Sequence, residues 1–320
     1  MVVVASFSGV LGGAERVLLD CVTRAQQPLT VACPPGPLAD ALQAAQVEHV
    51  PLKPRPLRRS ASAIAGMARE LRALKPEFTV AWGARAVLAA SLEHAPWLAV
   101  HHDLLRQPTR AVVRAATRYA RGVLSASHAV ARQFGGDVLH PGVDLTAFTP
   151  TPLPDGPPKA LVLGALVAWK RPELALEIAD RFPELQVTIA GAPLDGGGVR
   201  LPPHPRVTLA GPVDARAALG QHHVLLHCAD AEPYGLVLVE ALASGRPVVA
   251  PASAGPKEIV AGGAGRLYPP GDADAAAEAL RAVLADPEAP RAARRRAEQH
   301  FDVAASAARF EAALTAALTR

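Results

Sequence analysis

The chain is short of cysteine, of aromatic residues and of long apolar runs, and each shortage removes a class of protein. Cys21, Cys33 and Cys228 are the three cysteines in 320 residues. They are too few and too scattered for a disulfide framework or a metal-knuckle spacing, which fits a reducing compartment. No apolar stretch approaches the roughly 18 residues of a membrane span. Met1 runs straight into VVVASFSGV without a basic leader, so no signal peptide is expected and the cytoplasm is the expected location. No cluster of His, Asp or Glu has metal-ligand spacing, so neither a metal nor another cofactor is expected. The RAARRR run at 291–296 has no stacking aromatics beside it. A solvated helix face is therefore the better reading, and no nucleic acid is expected as a partner.

What the chain does have is apolar bulk in regular pieces. Half of its residues are hydrophobic, enough to bury a large core, and the length suits two domains. Short apolar runs at 2–7, 29–33, 47–52, 78–83, 97–102, 122–127 and 137–140 alternate with helical patterns. In ASAIAGMARELRALK (61–75), for example, Ile64, Met67, Leu71 and Leu74 recur at helical spacing. TPTPLPDGPPK (149–159) packs five prolines into eleven residues and reads as an extended linker. Strand-like runs then resume at 160–166, 185–191, 206–211, 224–229, 247–252 and 265–268. This is the α/β class: two doubly wound Rossmann-like domains, expected at 1–150 and 151–300, with ligands bound in a cleft at the carboxyl ends of the sheets. The helical tail, 301–320, is expected to pack back across the domains.

Charge is unevenly shared. Residues 1–150 hold 16 Lys and Arg against 10 Asp and Glu, whereas residues 151–320 hold 17 against 19. The basic half contains QPTRAVVRAATRYAR (107–121), in which Arg110, Arg114, Arg118 and Arg121 fall on one side of a helix. KPRPLRR (53–59) adds charge nearby. Such a stripe suits peripheral contact with an anionic membrane face or a phosphorylated acceptor; a plain solvated face is the alternative.

The most informative stretch is DAEPYGLVLVEALASGRPVVAP (230–251). Gly235 stands at the expected start of a helix that Gly245 ends. The amides of Tyr234, Gly235 and Leu236 are then expected as unpaired first-turn donors along the helix dipole, a site for phosphate or diphosphate. Glu232 precedes that turn, where it would lie beside whatever the phosphate carries. Glu240, further along the same helix, would reach a group on the other side, such as ribose hydroxyls. The plain alternative makes Glu232 a helix cap and Glu240 a solvated residue.

EPYGLVLVEALASGRPVVA resembles the donor-site signature of glycosyltransferase family 4, retaining enzymes of the GT-B fold. SGVLGGAERVLLD (8–20), HHDL (101–104), VLHPGVDLTAFTP (138–150), LVLGALVAWKRPELALEIA (161–179) and VTIAG (187–191) resemble further elements of that family, in the same order. The resemblance implies a nucleotide-diphosphate sugar held by the second domain and an acceptor held by the first. It also implies roles by position. Glu240 binds the ribose, the amides of Tyr234 to Leu236 bind the diphosphate, and Glu232 holds sugar hydroxyls. Lys170 neutralises the leaving group, His102 contacts the sugar, and Gly12 and Gly13 let a loop approach the phosphates. In two places the chain departs from the family. Gly164-Ala165 stands where the family has Gly-Arg, a gap that Arg171 is positioned to fill, and Gly255-Pro256 replaces a glycine pair. Two other functions remain open beside the transferase: a non-catalytic protein that binds nucleotide sugars, and a nucleotide-sugar epimerase.

Overall fold

The computed structural model describes residues 1–54, 61–193 and 198–320. Most of the basic KPRPLRR segment, residues 55–59, lies outside the described residues. The chain divides into two compact units: Met1–Pro141 with Val303–Arg320, and Gly142–Asp302.

In the first unit, strand and helix alternate. The elements are β1 (Val2–Ala5), α1 (Gly13–Arg24), β2 (Leu29–Cys33), α2 (Pro37–Ala44), β3 (His49–Pro51), α3 (Ala61–Ala73) and β4 (Phe78–Trp82). After them come α4 (Ala84–Ala90), β5 (Trp97–His101), α5 (Thr109–Thr117), β6 (Gly122–Ser125), α6 (His128–Phe134) and β7 (Asp137–Val138). The strands form one parallel sheet in the order β3-β2-β1-β4-β5-β6-β7. Every residue of β2, β4 and β5 is buried. Helices cover both faces of such a sheet, which is why its strands read as unbroken apolar runs rather than as alternating ones.

The second unit repeats the plan. It contains β8 (Lys159–Leu163), a 3-10 turn (Ala168–Lys170), α7 (Leu174–Arg181), β9 (Gln186–Ala190), β10 (Val207–Gly211), α8 (Ala215–Gly220) and β11 (Val224–Leu226). Next are α9 (Leu236–Ala243), β12 (Val248–Pro251), α10 (Pro256–Ile259), β13 (Gly265–Tyr268), α11 (Ala273–Leu284) and α12 (Ala289–His300). Its parallel sheet runs β10-β9-β8-β11-β12-β13. The winding direction reverses between β8 and β11, and in such sheets the crevice lies at the carboxyl ends of these strands. The two-sheet Rossmann-like architecture expected from the sequence is the one observed.

Three details differ from the sequence reading. First, the division falls after Pro141, ahead of both the 150/151 boundary and the proline-rich segment. Buried Arg246 holds that segment inside the second unit. It donates to the carbonyls of Thr151 (2.8 Å) and Pro152 (3.0 Å) and to Thr151 Oγ1 (2.7 Å). Second, the final helix, α13 (Val303–Thr319), belongs to the first unit, where it packs on α1 and beside β6. Third, RAARRR is not simply a solvated face. Arg294 donates to the carbonyls of Phe148 and Ala243, both at 2.7 Å, and Arg296 to those of Glu258 and Ile259. These arginines fasten the linker and α10 to the second unit.

Candidate functional site

In the second unit, the crevice of the reversed sheet brings together residues far apart in sequence. The loop after β8 supplies Lys170 and Arg171, and the loop after β11 supplies His227, Asp230 and Glu232. β8 and β11 are hydrogen-bonded neighbours, so their exit loops meet. Lys170 Nζ donates to Glu232 Oε2 at 2.8 Å, and Arg171 Nη1 to Asp230 Oδ2 at 2.7 Å. Arg171 adopts a left-handed conformation (φ 48°), which turns the chain out of the 3-10 turn toward Asp230.

Two glycines seat these loops. A methyl group on Gly191 would overlap the Gly164 carbonyl, and one on Gly255 would overlap the Tyr234 backbone. Gly191 also has φ 153°, which L side chains rarely adopt. The Gly164-Ala165 loop therefore lies directly on Gly191, and the Glu232–Gly235 turn lies on Gly255. The Gly255 amide also donates to the Glu232 carbonyl at 3.1 Å.

Gly235 caps α9 with φ 101°, a left-handed conformation that glycine supplies without strain. No side chain caps this helix, so Glu232 is not its cap. The Gly235 and Leu236 amides make no hydrogen bond to any described residue. Tyr234 and Gly235 both precede the helix and both are buried. Leu236 opens the helix. Glu232 is 7% exposed and Glu240 4%, which rules out a solvated surface role for either.

The electrostatics favour an ionised Glu232. Burial by itself pushes the carboxyl up, but the neighbouring His227 ring and the charge of Lys170 outweigh it and hold the group at about 2. His227 Nε2 lies 3.3 Å from the same Oε2 that Lys170 contacts. Lys170 Nζ also lies 4.7 Å from the centroid of the half-exposed Trp169 ring. Ala165 contributes no charge to this crevice. Two cations thus lie in this crevice, each paired with a carboxylate: Lys170 with Glu232 and Arg171 with Asp230.

The first unit holds its own group at the carboxyl ends of β1, β4 and β5. Gly12 caps α1 and Gly13 opens it. Trp82 Nε1 donates to the Ala14 carbonyl at 3.1 Å, tying β4 to that turn. The His102 ring packs against Gly83 and faces Trp82 at 6.4 Å, and its buried Nδ1 has no hydrogen-bond partner among the described residues. A methyl group on Gly13 would meet no protein atom, so no neighbour in the chain demands glycine there. His101 is structural. Its ring stacks on Phe134 (4.1 Å), its Nε2 donates to Thr117 Oγ1 (3.0 Å), and burial depresses its pKa to about 3.

The arginine stripe is only partly helical, because α5 stops at Thr117. Arg118 caps it and Arg121 follows the turn. Arg114, Arg118 and Arg121 are exposed and Arg110 is half-buried. The sequence reading missed His227 and Asp230. They interrupt the apolar strand VLLHCAD just before the glutamate motif, and polar residues at that strand end were the available signal.

Residues 145–300 match the family model described as glycosyl transferases group 1. D-inositol 3-phosphate glycosyltransferase from Mycolicibacterium smegmatis is 32% identical over 172 residues, covering 46% of this chain and 39% of that protein. The corresponding protein of Mycobacterium avium is 33% identical over 202 residues, covering 56% and 47%. The chain therefore spans less than half the length of these curated relatives. Among solved structures, Anabaena HepE in complex with UDP and glucose superposes with a TM-score of 0.85 at 20% identity, covering 98% of this chain and 99% of that one. Sucrose-phosphate synthase from Thermosynechococcus elongatus gives 0.79 at 19% identity, covering 98% of each chain. The fold is GT-B.

Proposed function

We propose that this chain is a retaining glycosyltransferase of the family 4 type, moving a sugar from a nucleotide-diphosphate donor to an acceptor hydroxyl. One observation carries the proposal. The Lys170–Glu232 pair (2.8 Å) lies at the switch point of the second sheet, beside the free Gly235 and Leu236 amides. In the reaction, the bond between the anomeric carbon and the diphosphate oxygen breaks, and its electrons stay on that oxygen. Lys170, Arg171 and the two amides stabilise the negative charge as it develops. Glu232 holds sugar hydroxyls and Glu240 the ribose. The acceptor oxygen bonds to the same face of the carbon, and its proton passes to the departing diphosphate. No carboxylate nucleophile is required, so the two-carboxylate scheme of glycoside hydrolases does not apply. His102, Gly12 and Gly13 are the residues of the first unit proposed to bind ligand.

UDP is the first nucleotide to test, since HepE was solved with UDP and with UDP-glucose. A thermal-shift screen of UDP, GDP, ADP and dTDP sugars tests the proposal, because a ligand at 100 times its Kd stabilises by roughly 2.7 kcal/mol. No shift with any of them contradicts it. Ala165, which leaves a phosphate-side charge missing, favours a second reading as a non-catalytic nucleotide-sugar binder. Release of nucleoside diphosphate only when acceptor is present decides for the transferase.

The protein is also proposed to work against an anionic membrane. Arg110, Arg114, Arg118 and Arg121 make no ion pair with any described residue. Arg320 adds a further guanidinium, which donates to the Arg121 carbonyl. Val112 (56% exposed) and Tyr119 (79%) offer apolar contact beside these cations. No helix among the described residues is long and apolar enough to cross a membrane. Co-sedimentation with anionic but not neutral vesicles, weakened by salt and abolished by reversing Arg114 and Arg118 to Glu, is the expected result. Equal binding to neutral vesicles, or no binding, overturns it.

A further inference from the structure

His227 follows the last residue of β11, and its backbone is fixed on both sides. Its amide donates to the Val249 carbonyl at 2.8 Å, and its carbonyl accepts from Tyr268 Oη at 2.7 Å. The residue is buried, so the ring has little freedom. Its Nε2 lies 3.3 Å from Glu232 Oε2, the oxygen that Lys170 Nζ also contacts. Lys170 alone neutralises Glu232 in the free protein; His227 Nε2, close by at 3.3 Å, makes no hydrogen bond to any described residue and stands as a second donor in reserve.

The second donor has a use once a diphosphate arrives. On the proposed reading, Lys170 must serve the leaving group, and each contact to a phosphate weakens its hold on Glu232. A buried carboxylate that loses its cation without replacement is costly and free to rotate. We propose that His227 is a positioning residue that keeps the Glu232 carboxylate aligned toward the sugar while Lys170 changes partner from Glu232 to phosphate. His227 needs no contact with substrate, because it acts through Glu232. Its rigid backbone and Lys170's flexible stem suit this division: one partner stays and the other moves. The inference rests on the donor site proposed above.

The test compares His227→Ala and His227→Gln with wild type, using UDP and UDP-glucose as probes. Calorimetry gives affinity, and release of UDP gives kcat and KM separately. For His227→Ala the expected result is UDP affinity within about twofold of wild type and kcat lower by roughly tenfold or more. His227→Gln, which keeps an N–H donor, is expected to recover part of that loss. A merely structural role would instead lower the melting temperature and UDP affinity together, without rescue of kcat by Gln. Unchanged kcat in His227→Ala, or that structural pattern, overturns the inference alone. If wild type binds neither UDP nor UDP-glucose and a wider nucleotide panel also fails, the donor-site reading falls and takes this inference with it.

Discussion

Lys170 Nζ and Glu232 Oε2 lie 2.8 Å apart across 62 residues of sequence, brought together because β8 and β11 are neighbours where the second sheet reverses its winding. In the free protein each half-satisfies the other. A nucleotide-diphosphate sugar offers each a better partner: phosphate for the lysine, hydroxyls for the carboxylate. On the proposed reading the pair is the resting state of the site, and donor binding disrupts it.

Removing Lys170 therefore has two effects. Lys170→Ala is expected to lower turnover about 10²-fold, comparable with loss of one oxyanion donor. It should also reduce stability by about 1–3 kcal/mol, since a buried carboxylate loses a hydrogen-bonded cation. Ala165→Arg should tighten nucleoside-diphosphate binding more than nucleoside-monophosphate binding, because the added charge addresses the distal phosphate. Steady-state kinetics, urea unfolding and calorimetry report these three effects.

The glycines separate packing from ligand approach. Gly191→Ala and Gly255→Ala force a methyl group into backbone, so a loss of about 1–3 kcal/mol or more in urea unfolding is expected for each. Gly13→Ala meets open space and begins a helix, so its stability should stay within about 0.5 kcal/mol of wild type. A selective loss of donor affinity in Gly13→Ala would then report close approach of the ligand. Wild-type affinity would remove Gly13 from the site.

Acid sensitivity should come in two windows: an upper one to which His101 contributes together with His222 and His223 of the second unit, all lowered by burial, and a lower one to which Glu232 contributes. His101 has its pKa depressed by burial to about 3 from 6.5. The unfolded chain therefore binds the extra proton first, and stability falls as pH drops from about 6.5 toward 3. Glu232 is held at about 2, against 4.5 when unpaired. Its contribution is present above pH 4.5 and is lost as pH falls toward 2. Urea unfolding across this range should show His101→Gln flattening the upper window and Glu232→Gln the lower. An unchanged pH slope in either variant refutes that assignment.

Much of this was legible in the sequence, because the signals were local. Each strand-like run from VVVASF to GRLY matches an observed strand, since a sheet covered on both faces leaves unbroken apolar stretches. The start of α9 at Gly235, with Glu232 before it and Glu240 within it, was readable because these residues are close in sequence. Long-range contacts were not legible. Nothing in RAARRR announces that Arg294 and Arg296 bind distant carbonyls, or in the proline-rich segment that Arg246 fixes it to the second unit. His227 escaped notice for the same reason, because its partnership with Glu232 depends on how the loop after β11 folds back. At 110–121 three of the four arginines are exposed, but the helix ends at Thr117, ahead of the turn that leads into β6 at Gly122.

The division of labour between the two buried carboxylates is the central claim, and calorimetry with nucleoside diphosphate, set beside turnover, tests it most directly. Glu240→Ala is predicted to weaken nucleoside-diphosphate binding by roughly 1–3 kcal/mol, the loss of one charged hydrogen-bonding partner. Glu232→Ala is predicted to leave that binding nearly unchanged while turnover collapses, since its partner is the sugar. If Glu232→Ala weakens diphosphate binding as much as Glu240→Ala does, the assignment of sugar to one carboxylate and nucleotide to the other is wrong.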